Sequence, residues 1–171
     1  MTPEQSKLAL DTILPTLKQE TATTVRVLAA TPNANLDYRP SESCMPASEL
    51  IWHIASADVM FLEGILNGSF GKSPEKPDSV ASPAQISAWY AENMSGAIEK
   101  LSAYTPEEAA RMLDFYGFMQ APAVGIVSFA MRHSIHHRGQ LSSYIRPMGG
   151  KVPSIYGPSA DENPNAKAEA Q

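Results

Sequence analysis

Ile126-Val127-Ser128-Phe129-Ala130-Met131-Arg132-His133-Ser134-Ile135-His136-His137-Arg138-Gly139-Gln140-Leu141 is the stretch from which the fold is read. Ile126, Ala130, His133, His137, Leu141, Tyr144 and Met148 recur at steps of three and four, the period of one helix face. The pattern predicts a helix from about Pro122 to Pro147, closed by Gly149-Gly150. His133 and His137 lie in its apolar seam. Residues four apart on a helix have Cβ atoms about 5–6 Å apart, so these two imidazoles can address one ion. A third ligand has to come from another helix. Of the four histidines in the chain, the one outside positions 133–137 is His53.

Outward from this helix, the prolines punctuate further periodic runs. A helix is expected from about Glu4 to Ala30, with Leu10, Ile13, Leu14, Leu17, Val25 and Leu28 facing the core. Pro15 should kink or break it, because proline removes a backbone donor. After a loop from Pro32 to about Met45, a second helix runs from Pro46 to about Asn67. There Leu50, His53, Ile54, Ala57, Met60, Phe61 and Ile65 share one side. Ser82-Pro83 reads as an N-cap with proline at the first helical position, opening a third helix to about Tyr104. Thr105-Pro106-Glu107-Glu108 repeats that signal for a short helix or turn ending near Phe115. No run shows sustained strand alternation. Four long helices joined by loops make the chain all-α, a four-helix bundle over residues 1–150. Residues 151–171 form a proline-rich, then polar tail whose end, Asn163 to Gln171, is expected to be disordered.

A single histidine in an apolar seam is more often a hydrogen-bonded core residue than a ligand. Three converging in one core favour a metal, since an ion compensates all three rings at once. Neutral imidazole suits Zn, Ni and Fe. Three protein ligands leave positions for water or substrate, the mark of a catalytic rather than a closed structural site. His136 lies about 60° round the helix from His133 and about 100° from His137, and reads as a supporting or surface residue. Glu49 stands one turn before His53; Asp58 and Glu63 are less well directed, and none is assigned as a general base. Arg138 would pair with a substrate carboxylate or with an acidic partner within the fold. Cys44 reads as a small buried hydrophobe, Trp52 and Trp89 as packing residues, and Asp161-Glu162 as solvated charge.

Composition narrows the classes. The 171 residues carry a net charge of −5, which disfavours a nucleic-acid partner. No run of 18 apolar residues suggests a membrane span. One cysteine excludes an internal disulfide and fits a reducing, cytoplasmic setting.

Leu36-Asp37-Tyr38-Arg39-Pro40, Glu49-Leu50-Ile51-Trp52-His53-Ile54, the run from His133 through Gln140 with Leu141 and Tyr144, and Val152-Pro153-Ser154-Ile155-Tyr156-Gly157 together resemble the DinB-like family, which includes YfiT-type metal-dependent proteins. The resemblance covers roughly residues 36 to 157. It implies an up-down-down-up four-helix bundle, often a homodimer, with a divalent metal on three histidines that match His53, His133 and His137 here. Family members with an assigned activity are thiol-dependent transferases or isomerases using bacillithiol, mycothiol or glutathione, and some hydrolases. The expectation is therefore a metal-dependent thiol S-transferase or hydrolase acting on a small molecule. The alternative is a non-catalytic, dimeric metal- or ligand-binding bundle associated with stress response.

Overall fold

The computed structural model describes residues 1–162, and the expected disordered end lies outside the described residues. In chain order the elements are α1 (Pro3–Ala29), α2 (Ala47–Asn67), α3 (Pro83–Ser102), α4 (Pro106–Ala110), β1 (Met112–Phe115), β2 (Met119–Pro122) and α5 (Ala123–Ile145). Three helix starts carry reciprocal capping boxes, Thr2 with Gln5, Ser82 with Gln85 and Thr105 with Glu108, each followed by proline at the first turn. At the end of α2, Gly68 takes the left-handed conformation (φ 80°) that closes the helix.

The four long helices pack in the ring order α1, α3, α2, α5. Contacts between them fix their directions. Ser87 on α3 bonds the Val25 carbonyl while Ile98 shares a groove with Lys18, so α1 and α3 run antiparallel. Trp52 packs on Trp89, and Tyr104, just beyond α3, bonds the Ile65 carbonyl, so α2 and α3 run parallel. His53 meets His137 and Phe61 meets Phe129, making α2 and α5 antiparallel. The result is an up-down-down-up bundle. α2 is enclosed on two sides and buries Leu50, Ile51, Ile54, Ala55, Phe61 and Leu62. No helix among the described residues is long and apolar enough to cross a membrane.

Two local expectations are corrected. Pro15 does not break α1, which is continuous from Pro3 to Ala29. Pro15 is exposed, as is Asp11, so the Asp11 carbonyl that Pro15 cannot serve is free to bond water. The segment expected to remain helix or turn to Phe115 leaves the helix after Ala110 and forms an antiparallel hairpin with Phe115 opposite Met119. Its turn places both Tyr116 (φ 53°) and Gly117 (φ 70°) in the left-handed region, as a type I′ turn requires. The hairpin seats Phe115 against Phe61 and Phe70, closing the bundle beside His133, whose ring packs on Phe61.

Beyond α5 the chain turns back onto the bundle. Val152 is buried, and the Ser154 carbonyl accepts from Arg26 at 2.7 Å. Asp161 is exposed, as expected of solvated charge, and also accepts from Arg146 and from the Val152 amide.

Candidate metal centre

His53 stands on α2, and His133 and His137 one turn apart on α5, at the seam where these helices cross. One ring nitrogen from each lies within 4.8 Å of the others, an arrangement that could hold a metal ion. The Nε2 atoms of His53 and His137 are 3.2 Å apart. Two nitrogens each about 2.0–2.1 Å from one ion at a near-tetrahedral angle would stand about 3.3 Å apart. All three side chains are partly exposed rather than sealed in the core.

The surroundings fix ring orientation. His137 Nδ1 lies 2.8 Å from Gln140 Oε1. A carbonyl oxygen only accepts, so Nδ1 carries the proton and Nε2 keeps its lone pair toward His53. The Gln140 amide nitrogen faces His136 Nε2 at 3.2 Å. His136 itself is exposed and outside the cluster, one residue away from Gln140's other partner. Burial, opposed by the Gln140 bond and reinforced by the neighbouring histidines, depresses His137 from 6.5 to about 4. Burial and the His133 ring likewise lower His53, against the pull of Asp58. Both rings are therefore neutral at pH 7, the state in which imidazole binds metals.

Asp58 corrects its expected poor placement. It is 2 % exposed on α2, accepts a hydrogen bond from the Tyr90 hydroxyl at 2.8 Å, and points its other oxygen at His133 Nδ1, 3.9 Å away. Neither that oxygen nor His133 Nδ1 has a hydrogen-bond partner among the described residues. Burial and the Asp58 carboxylate hold the Tyr90 phenol well above its usual range, so it stays a donor. Three imidazoles that each offer one ring nitrogen within 4.8 Å of the others are a donor set that suits a divalent cation. The residues fit the group.

A cavity of about 350 Å³ opens beside His137, lined by Cys44, Leu50, Gln140 and Tyr144 among others. It adjoins a second hollow of about 500 Å³ that holds Asp37, Arg39 and Glu49. Glu49 thus faces solvent at the cavity's edge rather than the histidines. Cys44 is half-buried, and the Ser41 hydroxyl 3.2 Å from its sulfur lowers the thiol's pKa. Arg138 turns away from the cluster: it is 1 % exposed and pairs with Glu20 at 2.6 Å. Trp52 and Trp89 pack on each other, their ring planes tilted by 47°.

Known proteins share this framework. The chain is 30 % identical over 115 residues to the uncharacterised protein YjoA of Bacillus subtilis (strain 168), covering 66 % of this chain and 73 % of that one. It is 25 % identical over 155 residues to the uncharacterised protein YrdA of the same organism, covering 90 % and 91 %. The crystal structure of the DinB-like protein YjoA superposes with a TM-score of 0.69 at 24 % identity, over 85 % of this chain and 99 % of that one. A DinB-like protein from Bacillus cereus ATCC 10987 superposes at 0.71, also at 24 % identity, over 84 % and 95 %. These likenesses show that the chain shares its fold with those structures. With the DinB family's sequence model matching residues 5–168, nearly the whole length, the chain belongs to the DinB family.

Proposed function

We propose that His53, His133 and His137 hold a divalent metal ion, Zn, Ni or Fe, and that the chain is a metal-dependent enzyme acting on a small molecule. The 3.2 Å approach of the His53 and His137 Nε2 atoms, with His133 beside them, carries this reading. A bound ion would supply Lewis-acid polarisation and would ease deprotonation of a water or thiol reaching its open positions. Gln140 holds His137 in the tautomer that leaves Nε2 bare. Phe61 and Phe115 shield one side of the cluster, while the cavity beside His137 admits the substrate from the other. In this reading the substrate class includes low-molecular-weight thiols, and the working form is a homodimer.

Metal content of protein purified without a nickel column, beside a His53→Ala/His137→Ala variant, tests the assignment. The parent should carry close to one ion per chain and the variant none; equal content in both overturns it. Cobalt-loaded parent should develop a thiolate charge-transfer band when a small thiol is added. A spectrum unmoved by thiol removes the thiol chemistry and leaves water activation.

A further inference from the structure

A carboxylate buried to 2 % exposure normally recruits an Arg or Lys, because an uncompensated buried charge is costly. Asp58 has not done so: the one ion-pair partner within 4.0 Å among the described residues is His133. Tyr90, 1 % exposed on α3, uses its hydroxyl on Asp58 Oδ2. Thr21, Ser134 and Tyr90 join Asp58 around a cavity of about 10 Å³, a volume near that of one water position. Thr21 Oγ1 is also without a partner there among the described residues. Side chains of all four long helices thus surround one carboxylate, with its remaining oxygen aimed at one imidazole nitrogen.

We propose that Asp58 is the positioning carboxylate of the histidine cluster, with Tyr90 anchoring it from behind. Asp58 Oδ1 accepts the Nδ1–H of His133 once the 3.9 Å separation closes by about 1 Å, the difference from an ordinary hydrogen bond. That bond places the ring proton on Nδ1 and leaves Nε2 of His133 bare toward His53 and His137. It also sets a carboxylate behind three imidazole ligands, which an ion of charge +2 favours. The inference rests on the metal reading above. Gln140 and Asp58 then perform the same task for His137 and His133, from opposite sides of the seam.

Zinc affinity measured by competition with a chromophoric chelator tests it, in the full chain. Asp58→Ala should bind zinc ten- to a hundredfold more weakly, the range for removing such a partner. Asp58→Asn, whose amide oxygen can still accept from His133, should recover part of that loss, and Tyr90→Phe should lose less than Asp58→Ala. Parental affinity in Asp58→Ala, together with loss of zinc in His133→Ala, overturns this inference alone. Parental affinity in both overturns the metal reading itself. Should Asp58→Ala fail to fold, nitrogen-15 NMR of the zinc-loaded parent decides. The His133 proton on Nδ1 supports the role of Asp58, and a proton on Nε2 overturns it.

Discussion

His137 and Arg138 are consecutive residues of α5, yet their polar atoms meet opposite circumstances. Arg138 is buried with both terminal nitrogens of its guanidinium bonded. Nη1 donates to the Glu20 carbonyl at 3.1 Å and Thr24 Oγ1 at 3.2 Å, while Nη2 meets the Glu20 carboxylate at 2.6 Å and Tyr156 Oη at 2.7 Å. Its charge is neutralised at the α1–α5 contact. His137 is lowered by burial and by the neighbouring rings, and its Nε2 faces the Nε2 of His53 at 3.2 Å. A buried polar group with a full set of partners has spent its bonding capacity on the fold. A cluster of imidazole nitrogens turned toward one point has its capacity available for a ligand.

The sharpest way to break this comparison is to remove Arg138. Arg138→Ala leaves Glu20, whose side chain is 12 % exposed, without its charge partner. Truncating one side of a buried pair costs about 3–5 kcal/mol, read as a fall in the denaturant midpoint at unchanged slope. Metal bound per folded chain should stay at the parental value. A loss within the roughly 0.5 kcal/mol of a surface substitution, or a loss of metal, would put Arg138 with the histidines instead.

The histidines were the legible half of this pair. Their three- and four-residue spacing in an apolar seam is a local signal, and His53 shares the seam of α2 with Leu50 and Ala57. Glu20 lies 118 positions before Arg138, and nothing in either neighbourhood marks the partnership. The place of Asp58 in the site is hidden from the sequence for a physical reason. Asp58 follows His53 by five residues, about 140° round the helix, and reading α2 as a one-sided amphipathic helix turned it away from the site. α2 is instead enclosed between α3 and α5, so that a side chain on its second face can reach both Tyr90 and His133. The hairpin escaped because four-residue strands are too short to show a period, and its left-handed Tyr116 is not a glycine-type turn signal.

A smaller effect separates the two clusters by pH. In chelator-stripped protein His137 titrates near 4 when folded and at 6.5 when unfolded. Between those values the unfolded chain binds a proton that the folded one refuses, so stability is present in full above 6.5 and is lost as pH falls toward about 4. The loss should stay below that of Arg138→Ala, because the half-exposed cluster is screened by solvent. Thermal unfolding across this window should show a shallower slope in His137→Gln. The same slope in parent and variant would mean that His137 is not held neutral by its surroundings.

The smallest expected effect probes the edge of the Arg138 network. Tyr156 is 71 % exposed, accepts from Arg138, and donates to Glu20 Oε2 at 2.9 Å. Its ring also lies 5.4 Å from the guanidinium. Tyr156→Phe keeps the ring over the cation and deletes the hydroxyl alone. Arg138 and Glu20 still meet directly, so no buried charge is orphaned, and the cost should be about 0.5–1.5 kcal/mol, toward the lower end. Denaturant unfolding of Tyr156→Phe, Arg138→Ala and the double variant measures it. The double variant should cost less than the sum of the singles, since Arg138→Ala has already removed one of the hydroxyl's partners. Strict additivity would mean that Tyr156 acts through the tail it belongs to, by docking residues 152–156 on α1, and that the Arg138 network is complete without it.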